Sequence, residues 1–249
     1  MTAAGVEAFI ADGFIHMPGA VDVGTARACS DELWAATGYE PADPSTWADT
    51  LVRISGLGTP PFRAAANSPP LLDAFDQLVG PGRGLPRAGL GTFPLRFPGP
   101  GDAKEAGWHV EASFMGVAGE WRVNLRSRGR ALLMLFLFSD VGPNDAPTLI
   151  RVGSHLDVPP LLEAFGEEGL EWMTLCERAV EASASRPLAS ATGAIGDVYL
   201  CHPFLVHSGQ KHRGTRPRFM AQPPLEPSEA LDLSSPYPVA QAIARSLAR

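Results

Sequence analysis

The sequence predicts a mainly β protein with flanking helices, in which a double-sheet, cupin-like jelly roll carries helices outside one sheet. Three observations point there. Helical spacing dominates the first third of the 249 residues, and from Gly89 onward the period shortens to that of strands, in seven or eight runs with long-range returns. Gly (26) and Pro (24) together supply a fifth of the chain, which is punctuation for many short elements. With no repeat, low-complexity run or linker to divide it, one domain is expected over 1–249, with a helical part at about 1–85, a jelly-roll core at about 86–224 and a C-terminal helix at about 236–249.

Each element has a local cause. Val6, Phe9 and Ile10 form the apolar edge of a first helix ending at Gly13, and Phe14 to Met17 reads as extended. Asp22 is the N-cap of a second helix that runs through Cys29, Leu33 and Trp34 to a stop at Gly38. Ser68, with Pro69 and Pro70 behind it, opens a third, in which Leu71, Leu72, Phe75 and Leu78 recur at helical spacing until Gly80. The strand runs are GLGTFPLRF, GWHVEASF, WRVNL, ALLMLFLFSDV and TLIRV, then RPLAS, GDVYLCHPFLVH and RPRFMAQ. A helical excursion, PPLLEAF through EWMTLCERAV, separates the two groups.

Composition narrows the function. Apolar residues at 45% are enough for a core, while the longest apolar run, Ala131 to Phe138, is far short of the ~20 residues of a membrane span. The opening carries Glu7 and Asp12 where a signal peptide has a basic flank, so a cytoplasmic protein is expected. Three scattered cysteines suggest neither a disulfide framework nor a zinc finger. A net charge of −7 argues against a nucleic-acid partner, leaving a small molecule. Oligomeric state is open.

Six histidines are present, and two begin a His-x-carboxylate step: His109 with Glu111, and His155 with Asp157. Chance alone gives fewer than one such step, so context decides. Residues i and i+2 of a strand share a face about 6.6 Å apart, so His109 and Glu111 can converge on one ion. Two histidines and a carboxylate leave open positions on an octahedral metal, the arrangement of non-haem Fe(II) oxygenases. His207, closing GDVYLCHPFLVH, is the preferred third ligand. His202 faces away in an unbroken strand, although a bulge at Pro203 would reverse that parity. Arg218, eleven residues after His207, is expected beside it on a return strand, where its guanidinium can hold a carboxylate by two parallel hydrogen bonds. Arg216 shares that face but lies nearer the turn.

GWHVEASF, SDVGPNDAPTLIRVGSH and GDVYLCHPFLVHSGQKHRGTRPRF together resemble the phytanoyl-CoA dioxygenase (PhyH) family of Fe(II)/2-oxoglutarate oxygenases, as does the opening VEAFIADGFIHMPGAVD. The resemblance runs from Val6 to about Pro224 and implies a double-stranded β-helix. It implies Fe(II), 2-oxoglutarate and O2 as cofactor and co-substrates, with His109, Glu111 and His207 on the metal and Arg218 on the distal carboxylate of 2-oxoglutarate. The implied reaction turns 2-oxoglutarate into succinate and CO2 while a small substrate is oxidised, normally by hydroxylation. His155 then falls in a structural loop.

The departures are specific. The family carboxylate is more often Asp, and Glu111 is one methylene longer. The hydroxyl that commonly helps hold 2-oxoglutarate is replaced by Gly209, with Ser208 facing away, so Arg96 and Thr148 become candidate helpers. The family's Asn-Gly turn reads NDAP, and its Pro-Gly-Ser-His reads VGSH. Arg126, Arg128 and Arg130 either hold an anionic substrate or form a solvated turn; Trp108, Phe93, Phe114 and Trp121 either line a substrate pocket or pack in the core. The alternatives are a jelly-roll metal enzyme without 2-oxoglutarate, in which Arg218 pairs with an acid, and a binding protein without turnover.

Overall fold

A computed structural model of the chain describes residues 1–100 and 106–248. Its centre is β6 (Leu132–Leu137), in which every residue is buried. A strand alternates its side chains, so burial throughout requires cover on both faces. Leu132, Met134 and Phe136 point toward α2 (Val23–Thr37), α3 (Pro60–Ala66) and α4 (Pro69–Val79), packing with Leu33, Phe62 and Leu71. Leu133, Leu135 and Leu137 point the other way, against Ile150, Ala191 and Leu205.

Four antiparallel sheets result among the described residues. The largest runs β1 (Phe14–Met17), β10 (Val198–Cys201), β6 and β12 (Met220–Ala221), with β13 (Pro224–Leu225) also on β6. Facing it is β11 (His207–Ser208), β7 (Leu149–Arg151) and β9 (Leu188–Ser190). Two smaller sheets pair β2 (Leu51–Ser55) with β3 (Thr92–Arg96), and β4 (Phe114–Met115) with β5 (Trp121–Val123) and β8 (Leu170–Glu171). The architecture is thus one of central sheets with flanking helices, and the ladders do not join into a closed barrel among the described residues.

The early helices form where their signals stand. α1 (Ala3–Asp12) stops at Gly13, and α2 starts at Asp22, whose Oδ1 accepts the Thr25 N–H at 2.9 Å. Ser68 precedes α4 as expected but caps nothing; its hydroxyl donates to Ala20 O instead. The strand β2 and helix α3 were not anticipated, because Leu51–Ser55 lacks alternation and two prolines mask the short helix. Among the later elements, α5 (Pro159–Leu162) and α6 (Trp172–Ala182) form the excursion, and α7 (Pro238–Leu247) closes the chain. Arg249, the last residue of the expected final helix, lies outside the described residues. No helix among them is long and apolar enough to cross a membrane.

Two expected strands are corrected. GDVYLCHPFLVH breaks after Cys201: the His202 N–H donates to Gly13 O, Leu205 N–H turns back to His202 O, and the chain crosses from the large sheet to the facing one. GWHVEASF is not a regular strand; a single bridge ties His109 to His207 before β4 begins at Phe114.

Burial separates two leucines on neighbouring helices. Leu33→Ala, at a fully buried site, is expected to lower unfolding free energy by about 2–5 kcal/mol. Leu72→Ala, at a site 41% exposed, should change it by no more than about 0.5 kcal/mol in the same urea titration.

Candidate metal centre

His109 and His207 meet through their backbones. Each N–H donates to the other's carbonyl at 3.0 Å, and the rings lie 4.4 Å apart between centroids. Nδ1–H of His109 donates to Gly107 O at 2.8 Å, and Nδ1–H of His207 to Leu205 O at 3.0 Å. Carbonyls only accept, so both Nδ1 atoms carry a proton, which leaves Nε2 as the lone-pair nitrogen of each ring in its neutral form. Glu111 completes the group: its Oε1 lies 3.4 Å from His207 Nε2, and one ligand atom from each residue falls within 4.8 Å of the other two.

The electrostatics favour a neutral His109 and an ionised Glu111. Burial lowers the His109 pKa, with His207 and Arg130 adding to it and Gly107 and Glu111 opposing, so the neutral ring is favoured. Burial alone would raise the Glu111 pKa, but His207, Arg130 and His109 outweigh it and bring it down to about 2. Val110, between His109 and Glu111, faces the opposite way, into a cluster with Leu175, Ala179 and Phe204. Its carbonyl accepts from Trp172 Nε1 at 2.6 Å and from the Cys176 thiol at 3.6 Å, so α6 fastens the segment from behind.

The three ligand candidates open on a cavity of about 480 Å³. Arg96, Arg218 and Thr148 line one part of it. Arg218 is not beside His207 on a return strand, as the spacing suggested. It pairs through its backbone with Arg96, at the end of β3, and reaches the cavity from the other sheet. Its Nη1 donates to Ala146 O at 2.6 Å and its Nη2 to Pro94 O at 3.2 Å, while the buried Nε has no hydrogen-bond partner among the described residues. Burial, reinforced by Arg96, lowers its pKa to about 9. Ala146, in the NDAP turn, holds a left-handed φ of 53° although it is not glycine, and so aims its carbonyl at Arg218. The Thr148 hydroxyl donates to the Met220 sulfur at 3.7 Å. Gly209 lines the cavity, and the Ser208 hydroxyl donates to the neighbouring Gly209 O at 2.7 Å.

Other candidates lie elsewhere. His202 is buried against Phe9 and Phe204, with Nε2 on Val239 O. His155 donates to Ile10 O, and Asp157 is taken by Arg186 at 2.8 Å. Arg216 pairs with Asp145 at 3.2 Å. Among the aromatic candidates Trp108 lines the cavity, with Arg151 over its ring at 4.5 Å. Phe93 packs instead between Phe62 and Phe138, because β3 turns it into the core. Phe114 lies under Arg128, and Trp121 is half exposed on the outer sheet. Of the arginine trio, Arg126 meets Glu167 and Arg130 meets Glu111.

The cavity wall from α6, made by Trp172, Met173 and Cys176, was missed, as was Gln222. The i, i+4 spacing of Trp172 and Cys176 marks a helix face, but nothing local says what it covers. Cobalt(II) titration is expected to show one site per chain that is lost in His109→Ala and in His207→Ala. His16→Asn, at a residue paired with Asp197 away from the cavity, should leave it intact.

No family model and no curated protein matches the chain. Solved structures do. The epimerase SnoN, in complex with Fe3+, alpha ketoglutarate and nogalamycin RO, is 20% identical, with a TM-score of 0.62 over 88% of this chain and 80% of its own. HygX from Streptomyces hygroscopicus, with nickel and 2-oxoglutarate bound, is 20% identical, with a TM-score of 0.57 over 89% of this chain and 85% of its own. EctD from S. alaskensis, with 2-oxoglutarate and 5-hydroxyectoine, is 22% identical, with a TM-score of 0.55 over 89% and 74%. The chain has the fold that SnoN, HygX and EctD share.

Proposed function

We propose that this protein is an Fe(II)/2-oxoglutarate-dependent dioxygenase of the phytanoyl-CoA dioxygenase kind, which hydroxylates a small organic substrate. One observation carries the reading. Three converging ligand atoms and a buried guanidinium without an acid partner among the described residues line a single cavity. The donor set fits Fe(II). His207 Nε2 is buried without a hydrogen-bond partner among the described residues and looks at Glu111 Oε1 across 3.4 Å. With the ring neutral, its lone pair and the carboxylate oxygen repel each other unless a cation lies between them. His109, Glu111 and His207 would hold the metal and leave positions open for co-substrate and O2.

When bound, iron and 2-oxoglutarate supply the oxidising power, with O2 consumed, succinate and CO2 formed, and a substrate C–H bond hydroxylated. The chain's own residues bind and orient. Arg218 offers its unpaired Nε–H to the distal carboxylate, which offsets the cost of burying the guanidinium. Arg96 and Thr148 flank that position, Thr148 in the role of the hydroxyl absent at Gly209. Trp108, Trp172 and Met173 form the apolar side, where they exclude water and bound the substrate. The reading in which Arg218 pairs with an acid is not favoured, since Ala146 O and Pro94 O are its partners.

Related proposals concern the whole chain. The two facing sheets are the layers of a double-stranded β-helix, supported by the apolar cluster between them. The chain is one domain, supported by a cluster shared by the N-terminal helices and the large sheet. It works in the cytoplasm, supported by three free, buried thiols. Its partner is a small molecule and not nucleic acid, supported by the net charge of −7.

Adding Fe(II) and then 2-oxoglutarate without oxygen should produce a visible charge-transfer band, and its absence would overturn the proposal. Arg218→Met is expected to weaken 2-oxoglutarate binding about a hundredfold, as loss of a buried charge partner does, while Fe(II) binding persists. A band without succinate formation on any substrate would favour the non-catalytic binding protein.

A further inference from the structure

The loop after β5 is built to bring one guanidinium against Glu111. Asn124 O accepts the Ser127 N–H at 3.1 Å, and Asn124 Oδ1 the Arg126 N–H at 3.1 Å. Ser127 sits at φ 41°, a left-handed conformation that costs energy in a residue with a Cβ. Gly129 then passes so close to the ligand segment that a Cβ would stand 1.9 Å from Ser113 O, and its N–H donates to Ser113 Oγ at 3.1 Å. This approach lets Arg130 reach back, with Nε on Ala112 O at 3.4 Å and Nη2 on Glu111 Oε2 at 3.3 Å. The Arg130 side chain is only 12% exposed and does not line the cavity, and its Nη1 has no hydrogen-bond partner among the described residues. Arg130 is therefore placed to act on Glu111 and not on a ligand in the cavity.

We propose that Arg130 is a positioning residue, which occupies Oε2 of Glu111 so that Oε1 alone is offered beside His207 Nε2. The inference rests on the metal-centre reading and deepens it. A glutamate has one more rotatable bond than an aspartate, so its carboxylate can swing away or chelate through both oxygens. A guanidinium on one oxygen removes both options. It also withdraws electron density from the carboxylate, so its loss raises the donor strength of the oxygen on the metal, which moves the band, while the loss of a fixed position outweighs that gain in affinity.

The test follows cobalt(II) affinity and the anaerobic Fe(II)/2-oxoglutarate band in Arg130→Gln, Glu111→Asp and the double variant. Arg130→Gln should weaken cobalt(II) binding about tenfold, the usual scale for a partner of a metal ligand, and move the band to longer wavelength. In the Glu111→Asp background, where the shorter arm cannot span Arg130 and the histidines, the same change should cost under about twofold. An unchanged affinity and band in Arg130→Gln, or an equal loss in both backgrounds, would overturn the inference. Thermal melting of the metal-free proteins checks folding. Should Arg130→Gln not fold, Arg130→Lys, which keeps the charge without the fork, should show the same pattern with a smaller loss. Wild-type protein that takes up no cobalt(II) overturns this inference and the metal centre together. Uptake lost in His109→Ala but unchanged in Arg130→Gln overturns the inference alone.

Discussion

Two backbone hydrogen bonds between His109 and His207 hold the site together, because they join segments far apart in sequence at a point where neither is part of a long ladder. Each histidine would otherwise be free to move with its own loop. Paired, they fix the separation of the rings, and the Gly107 and Leu205 carbonyls fix which nitrogen faces inward. The facing sheet supports the arrangement from one side through β11 on β7, and α6 supports it from the other through Val110 O. Geometry of this kind is set before any ion arrives, which is how a centre on irregular backbone can be selective.

Charge gives the cavity its second constraint. Arg96 and Arg218 are both buried at its wall, and the pKa values of both are lowered by burial. Among the described lining residues Glu111 is the carboxylate, and Arg130 already holds one of its oxygens. An anion that reaches Arg96 and Arg218 meets donors whose desolvation has already been met by folding. The strained Ala146 turn belongs to the same arrangement, since its carbonyl is one of two that orient Arg218.

The cluster of His109, Glu111 and His207 is legible in the sequence because it depends on residue type and coarse strand order, both of which survive local error. Parity along an unbroken strand favours His207 over His202, whereas the chain leaves β10 at Cys201 and turns at His202 to Leu205 before β11, and it is this turn that brings His207 beside His109. Arg218 shows the opposite case, since its presence at the cavity was expected but its neighbour is Arg96 and not His207. Helix ends were readable at Asp22, Gly13 and Gly80, where caps have local causes. The α6 wall and the Arg130 contact were not readable, because each depends on a loop closing against a distant segment. Phe93 illustrates the limit: a strand shows that side chains alternate, but which face meets the core is decided by partners outside the motif.

Gly13 links the first helix to all of this. Its carbonyl receives the His202 N–H at the start of the crossover, and a Cβ on it would lie 2.4 Å from His155 Nδ1. Ile10 O holds His155, and Asp12 O accepts the Gly153 N–H. The amino-terminal helix thus acts as a keystone for the peptide that delivers His207. Fraying it with a bulky fusion tag would slacken the centre from a distance, although no residue of that helix is among the described residues that line the cavity.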